Sequence, residues 1–359
     1  MGEKPGSTKK LKEFYSETVS KGPATKAGKQ RVESGKGLHE YVDPKGNGVI
    51  RRSISWLEPD ENGNFYLFRG TAMLIETRLD TTGSMGNNVE IAMKVLPQTI
   101  NLLKEVPKAV LDRYDVHIIT AIFGDVKDRF ILCRSQAEFD ERIAQQMTHF
   151  FPEGGGGDLP EDPQFGLFGA AYLTAATIKE LGLKSYDFTI TDDLGRDYVS
   201  MANLERVFGS EVLSKTAENG WPIDAKQLPS TKEIVIDLLK TTHAFVLLVG
   251  PEDHVIHYWE GIYGPDRVVI LPETELLPEV QAAIIGLTEG TLTLETVEEF
   301  LVKQAGLEAS VAAKIKRAVA GIPIGAQMMQ ENFDRIPMKG DKFLNKRDLW
   351  PIKDEEKTE

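Results

Sequence analysis

Apolar positions follow two different periods along the chain from about residue 64. "FYLFRGTAMLIETRLD" and "DVHIITAIFGDV" contain short, nearly continuous apolar runs, which are typical of buried strands. The segment between them, "NVEIAMKVLPQTINLLKEV", carries apolar residues three and four positions apart, as a helix with one buried face does. Pro97 predicts a kink or a new start within that helix. "YDFTITDD", "HAFVLLVG" and "DRVVIL" continue the series of strands, with helical segments between them.

This alternation of strands and helices predicts an α/β fold. Parallel strands need crossover connections, and helical crossovers cover the faces of the sheet. We therefore expect a doubly wound, mostly parallel sheet with helices on both faces over residues 53–290. "RFILCR" is expected to pair with the strand before it across a short turn. Amphipathic segments after residue 272 predict a small helical extension over 291–330, followed by a C-terminal tail over 331–359.

Charge is unevenly distributed along the 359 residues, whose net charge is −13. Residues 1–52 carry 12 Lys and Arg against 6 Asp and Glu, and the remainder carries 30 against 49. Because hydrophobic periodicity is absent up to about Leu38, we expect residues 1–52 to form a flexible basic segment. If the chain binds a nucleic acid or an anionic surface, we expect this basic segment to make the contact. "GPATKAGKQ" is not a phosphate loop, because five residues separate its glycines and Gln30 replaces the magnesium-binding Ser or Thr.

Three features bear on the cellular compartment. No run approaches the roughly 18 apolar residues that span a bilayer. The start of the chain, "MGEKPGSTKK", has no apolar signal region. A single cysteine, Cys133, excludes an internal disulfide and a cysteine-based zinc cluster. We therefore expect a cytoplasmic protein that makes no contact with a membrane.

Hydroxyl and carboxylate side chains gather at the predicted strand ends. "LDTTGS" places Asp80, Thr82 and Ser84 at alternate positions after an apolar strand, and "FGD", "GGGGDLPED" and "TDD" follow later in the chain. In a doubly wound sheet the carboxyl ends of the strands line the binding crevice. Several carboxylates in one crevice repel each other unless a positive charge lies among them. Oxygen ligands favour Mg²⁺, with Mn²⁺ or Ca²⁺ as alternatives, over zinc.

Each of these motifs also fits a simpler structural role. An edge strand facing water, or a helix N-cap, would carry Asp, Thr and Ser at such positions. The glycine run 154–157 could hold a phosphate, although the carboxylates just after it would repel one. His254 and His257 could bind zinc, but no third His or Cys lies near them. Four more carboxylates could each touch the site, cap a helix or face solvent: Asp125, Glu161, Asp162 and Asp193.

In combination and in this order, "LDTTGSM", "FGD", "GGGGDLPED" and "ITDD" resemble the motifs of von Willebrand factor A (VWA) domains. The similarity is to the intracellular and microbial type, including the VWA domains found with alpha-kinases, and it covers about residues 66–272. It implies a Rossmann-like VWA fold with a metal-ion-dependent adhesion site (MIDAS). By this resemblance Thr82 and Ser84 would bind the metal directly, and Asp80 and Asp192 directly or through water.

One position departs from the pattern of the family. Where many members carry a metal-binding Thr after paired glycines, this chain has Gly157, which offers no side chain, followed by Asp158. Either Asp158 or a water would then fill that position. The resemblance therefore implies a metal site of five side chains: Asp80, Thr82, Ser84, Asp158 and Asp192.

The resemblance also implies a function as a metal-dependent protein-binding module, an intracellular adaptor or assembly factor. An open coordination position on the metal would accept an acidic side chain from a protein partner, and an AAA+ ATPase is one candidate partner. Two alternatives stay open: a metal-dependent hydrolase whose cation activates water, and a phage or virion component with the same fold. We do not expect an enzyme, because no His or Lys lies in the four strand-end motifs to act as a general base.

Overall fold

Nine strands form two sheets in the described part of the chain, residues 25–47, 50, 57–155 and 160–352 of a computed structural model. In chain order the strands are β1 Leu57–Pro59, β2 Phe65–Leu67, β3 Thr71–Asp80, β4 Tyr114–Phe123, β5 Leu132–Arg134, β6 Ser185–Thr191, β7 Thr242–Val249, β8 Val268–Leu271 and β9 Lys342–Phe343. The large sheet has the order β5-β4-β3-β6-β7-β8, and the small sheet has the order β1-β2-β9.

The large sheet is parallel except at one edge. β4, β3, β6, β7 and β8 run parallel, while β5 pairs antiparallel with β4, as expected for "RFILCR". All ten residues of β3 and all ten of β4 are buried. Cover on both faces accounts for the apolar runs "AMLI" in β3 and "AIF" in β4. The α/β architecture and the mostly parallel sheet are thus confirmed.

Thirteen α-helical segments lie in the described residues, several of them a single turn. They are α1 Lys26–Glu33, α2 Pro44–Asn47, α3 Asn88–Val95, α4 Arg142–Met147, α5 Gln164–Tyr172, α6 Thr177–Glu180, α7 Met201–Phe208, α8 Val212–Glu218, α9 Thr231–Thr241, α10 Asp253–Tyr263, α11 Leu277–Glu289, α12 Val297–Lys303 and α13 Ala309–Ala318. The predicted break at Pro97 is confirmed, because α3 ends at Val95 and 3₁₀ and π turns continue to Glu105.

Helices cover both faces of the large sheet. β7 illustrates the division, because its side chains alternate between the two cores. Phe245 and Leu247 join the apolar cluster that contains α3, α11 and α13, while Val246 and Leu248 join the cluster that contains α5, α7 and α10. α11 belongs to the first core along almost its whole length, so it closes the sheet domain.

A buried network of charges crosses β3 and its neighbours. Arg78 donates hydrogen bonds of 2.7 and 2.5 Å to Asp187 on β6, and Arg134 on β5 donates bonds of 2.9 and 2.6 Å to Glu76. All four side chains are almost inaccessible to solvent. Two positive and two negative groups compensate each other there, as buried charges require. Because side chains alternate along a strand, Glu76, Arg78 and Asp80 share one face of β3.

Both ends of the chain, as far as they are described, pack on the sheet domain. In residues 25–47 the side chains of Val32, Leu38 and Val42 are buried, and the Val42 carbonyl accepts a 3.0 Å hydrogen bond from the Arg134 amide of β5. This part differs from the flexible segment expected over 1–52, because it packs against the edge of the sheet at β5. An uncovered edge strand would leave its backbone N–H and C=O groups unpaired. Residues 1–24, 48–49 and 51–52 lie outside the described residues.

The C-terminal region is also attached to the body. β9 pairs with β2, and Phe343 and Ile336 are buried. Residues 353–359 lie outside the described part, and the predicted boundaries at 52/53, 290/291 and 330/331 stay predictions. Within the described residues, no helix combines the length and the apolar character that a membrane crossing requires.

Candidate functional site

The candidate site lies where the order of strands reverses in the large sheet. β3 lies between β4 and β6. After β3 the chain adds β4 and β5 on one side of it, and then crosses over to add β6, β7 and β8 on the other side. Crevices for ligands form outside the carboxyl ends of strands at such a point. Asp80 is the last residue of β3, and Thr191 and Asp192 end β6 and begin the loop after it. β3 is a fully buried central strand, so the interpretation of "LDTTGS" as part of an edge strand is wrong.

Asp80 is held by three donors from two strand ends. Its Oδ1 accepts hydrogen bonds from the Thr82 amide at 2.9 Å and the Thr82 hydroxyl at 2.7 Å. Its Oδ2 accepts a 2.7 Å bond from the Thr191 hydroxyl. The N-cap interpretation is also wrong, because neither the 3₁₀ turn Gly83–Met85 nor α3 has a side-chain cap. The hydroxyls turn instead toward the carboxylate.

The hydrogen-bonded chain continues outward to the second strand end. The Thr82 and Ser84 hydroxyl oxygens lie 3.2 Å apart, and the Ser84 hydroxyl donates a 3.0 Å bond to Asp192 Oδ1. Asp80 is fully buried, Asp192 is half-buried and Ser84 is exposed. The fold thus brings together four of the five predicted ligands in a row of oxygens that runs from the interior to the surface. We call these four side chains, Asp80, Thr82, Ser84 and Asp192, the Asp80 row.

The carboxyl groups at the site hold their protons more tightly than usual. Burial raises the pKa of Asp80 to about 6, although bonds from Thr82 and Thr191 oppose the shift. Burial also raises the pKa of Glu161 to about 8, helped by repulsion from Asp80 and Asp125. The pKa of Asp192 is raised by burial as well. Removing negative charge from water without a nearby cation has this effect.

The hydroxyl groups at the site have too few protons to form a hydrogen bond at every oxygen–oxygen contact. Thr82 carries one hydroxyl proton but faces Asp80, Ser84 and the Glu161 carboxyl. Ser84 also has one proton and faces both Thr82 and Asp192. Two hydroxyl protons therefore serve four oxygen–oxygen contacts, and the deficit can be met by protonating carboxyls or by a cation. This oxygen-only donor set fits a hard divalent ion such as Mg²⁺.

The described residues supply only part of a metal coordination shell. Among them, no three or more His, Cys, Asp or Glu side chains are grouped as a metal centre, so hydroxyls would have to supply part of the coordination. Gly157 and Asp158 fall in 156–159, outside the described residues. A role for Asp158 as a metal ligand therefore stays a prediction.

Arg196 is a site residue that the sequence patterns did not reveal. Its guanidinium lies 3.2 Å from Asp125 Oδ2 and 3.0 Å from Asp162 Oδ1. It comes from the loop after β6, four residues beyond Asp192, whereas the two carboxylates come from other loops. Its position in the chain gave no signal, because nothing local links it to either partner. Arg196 thus compensates part of the negative charge of Asp125 and Asp162, and both carboxylates are buried beside the site.

Asp128, in the loop after β4, lies close against Gly155. Its Oδ2 accepts a 3.0 Å bond from the Asp125 amide, and a Cβ on Gly155 would collide with its carboxylate. The Gly155 carbonyl in turn accepts a 2.8 Å bond from the Gly83 amide. Glycine at position 155 therefore allows the loop to approach both neighbours closely. The loops around the Asp80 row are held by specific contacts at these points.

The two histidines that could form a zinc pair make local contacts on one helix. His254 and His257 both lie on α10, where His254 contacts Glu252 at 3.3 Å and the His257 ring contacts the Asp253 carbonyl at 2.7 Å. Both contacts are local to the start of the helix.

Comparisons with known proteins gave distant structural matches. No protein-family model matches the chain, and no curated protein matches its sequence. The pilus adhesin SpaC from Lactobacillus rhamnosus GG, in an open conformation, matches 66% of this chain and 32% of its own, with 14% identity and a TM-score of 0.41. Proximal thread matrix protein 1 from the mussel byssus, with a zinc-occupied MIDAS motif, matches 61% of this chain and 48% of its own, with 9% identity and a TM-score of 0.35. The pilus adhesin RrgA from Streptococcus pneumoniae matches 62% of this chain and 44% of its own, with 11% identity and a TM-score of 0.33. This chain spans from about a third to about half of the length of those proteins, and similarities with TM-scores below 0.5 support no argument about function.

Proposed function

We propose that the chain is a metal-dependent protein-binding module of the VWA type, with a MIDAS formed by Asp80, Thr82, Ser84 and Asp192. The observation that carries the proposal is the row of hydrogen-bonded oxygens that begins at buried Asp80 and ends at exposed Ser84. Its inner end is suited to holding a cation rigidly. Its outer end leaves one side of that cation accessible to a partner molecule.

The charge of the site favours an acidic partner side chain only when a cation is present. Asp80, Asp192 and Asp193 make the metal-free crevice negative, so a carboxylate from a partner would be repelled. A bound Mg²⁺ would supply positive charge and a coordination position that a Glu or Asp could fill. The residues of this chain would orient the cation and keep its inner side dry. An intracellular adaptor or assembly role, with an AAA+ ATPase as one candidate partner, is consistent with such a switch.

The hydrolase alternative receives less support from the described residues. Arg196 is a cationic side chain near the site, and its guanidinium is engaged by the carboxylates of Asp125 and Asp162. We find no contact between a His or Lys side chain and the described members of the Asp80 row. We therefore propose binding, and not catalysis, as the function.

The test combines metal binding with partner retention. Calorimetric titration with Mg²⁺ or Mn²⁺ should give heat with the wild type and none with Asp80→Ala. Partner capture from the native host should require Mg²⁺, disappear in EDTA and disappear in Ser84→Ala, with circular dichroism as the control for folding. Partner retention that survives EDTA unchanged would contradict the proposal. Metal-dependent turnover of a small phosphate or peptide ester without any protein partner would favour the hydrolase.

A further inference from the structure

Glu161 has a buried carboxylate oxygen that finds no partner among the described residues. The side chain is 3% exposed, its Oε2 makes no hydrogen bond there, and the carboxyl contacts Thr82 of the Asp80 row. An unsatisfied buried acceptor costs about 1–3 kcal/mol, so its presence in a folded protein needs a physical reason. We propose that Glu161 binds the cation directly and supplies the donor that Gly157 lacks. This inference rests on the proposed metal site and adds a ligand to it.

Backbone hydrogen bonds hold Glu161 beside the loop that follows β6. Its amide donates a 2.9 Å hydrogen bond to the Leu194 carbonyl, and its carbonyl accepts a 2.9 Å bond from the Arg196 amide. Both partners belong to the loop that begins at Asp192. Two backbone bonds fix the position of the Cα, so the side chain is directed at Thr82 by the fold. A ligand fixed in this way loses little conformational freedom when it binds a metal.

The neighbouring carboxylates are already engaged. Asp162 accepts bonds from the Gln164 side chain at 2.6 Å and the Val126 amide at 2.8 Å, in addition to its contact with Arg196. Asp125 accepts a 2.7 Å bond from the Lys127 amide and also contacts Arg196. Glu161 differs from both, because no cationic side chain of the described residues pairs with it. A cation beside Thr82 would satisfy it.

A carboxylate in place of a hydroxyl changes the expected chemistry of the site. Glu161, Asp80 and Asp192 would give the metal three anionic neighbours, which strengthens binding of a hard divalent cation. Loss of a direct ligand would admit one more water to the coordination shell. A carboxylate that acts only through its field would leave the number of bound waters unchanged. The hydration of the metal therefore separates the two roles.

The experiment uses Mn²⁺ as the probe with the full chain. Binding is followed by electron paramagnetic resonance, and the number of waters on the bound Mn²⁺ is measured by ¹⁷O-water hyperfine broadening. Glu161→Gln should weaken Mn²⁺ binding by more than about a hundredfold and add one bound water, because loss of a direct ligand outweighs the 10–100-fold effects of outer groups. The control Asp193→Asn also removes one charge from the crevice, but it should weaken binding by less than about threefold and add no water.

A second variant guards against an unfolded Glu161→Gln protein. Glu161→Asp keeps the charge and withdraws the oxygens by about one bond, so a direct ligand predicts weaker binding and an extra water. If Glu161→Asp or Glu161→Gln binds Mn²⁺ like the wild type with the same hydration, Glu161 is not a ligand, and the proposed metal site stands without it. If the wild type itself binds no Mn²⁺, the proposed function fails, and this inference fails with it.

Discussion

Replacing Asp80 with Asn tests whether the buried Asp80 carboxylate lowers the free energy of unfolding when no metal is bound. Asp80 is fully buried, and its pKa is raised to about 6 from an ordinary value of 3.8. Between these two values the unfolded chain has released the proton while the folded chain still holds it. Unfolding therefore becomes easier as pH rises from 3.8 to 6, and the full loss persists above pH 6. At about 1.4 kcal/mol per pKa unit, the loss is about 3 kcal/mol.

The Asn variant removes this loss with little change of shape. The amide oxygen can still accept both bonds from Thr82, while the Thr191 hydroxyl must accept from the amide NH₂ where it formerly donated. That reversal costs about 1 kcal/mol. We expect metal-free Asp80→Asn to be about 2 kcal/mol more stable than the wild type at about pH 8, and about equal to it or slightly less stable at about pH 4.

Urea unfolding at both pH values, with and without Mg²⁺, is the assay. Mg²⁺ at about a hundred times its Kd should stabilise the wild type by about 2.7 kcal/mol and should leave Asp80→Asn unchanged. Thr191→Val is the matched control, because it keeps the charge and removes a donor, so it should lower stability at about pH 8. Asp80→Asn that is less stable than the wild type at that pH without metal, or that still responds to Mg²⁺, would refute the reasoning.

Three further predictions concern other parts of the molecule. Ser84→Ala should abolish Mg²⁺-dependent partner retention and leave the free energy of unfolding within about 0.5 kcal/mol of the wild type, because the side chain is exposed; retention by the variant would argue against the open end of the site. Arg78→Met should lower the free energy of unfolding by about 3–5 kcal/mol, since Asp187 would lose its buried partner; an unchanged urea midpoint would contradict this. Deletion of residues 1–38 should lower it by about 3 kcal/mol, because two buried apolar side chains leave the core; equal stability with and without these residues would support a dispensable segment.

Buried charge in β3 illustrates where sequence patterns stop being informative. "TAMLIETRLD" contains Glu76 and Arg78 two positions apart, a pattern that suits a strand with one wet face. In the fold that face is covered, and Arg134 of β5 and Asp187 of β6 provide both residues with buried partners of opposite charge. Those partners are 58 and 109 residues away in the chain. Pairings of this kind depend on strand order, which the local pattern does not contain.

The N-terminal region shows the same limit in a different way. Val32, Leu38 and Val42 are too few and too irregularly spaced to show an amphipathic period among the surrounding Gly, Lys and Ser. They are buried because the open edge at β5 accepts a covering segment. The need for that cover arises from the sheet and not from the segment. The charge of residues 1–52 therefore gives no sign of it.

Local patterns in the chain were enough to predict the α/β class, the break at Pro97, and the position of Asp80, Thr82 and Ser84 at the end of a strand. Each of these features depends on residues that are close together in sequence. These patterns also brought Asp192 to the same crevice, since the carboxyl ends of parallel strands meet at one edge of the sheet. Which of the remaining carboxylates pair with an arginine depends on how the loops meet in the fold. Arg196 pairs with Asp125 and Asp162, while Glu161 is left buried beside Thr82. That division depends on distances between loops far apart in sequence, and electrostatic interactions at those distances act through space and not along the chain.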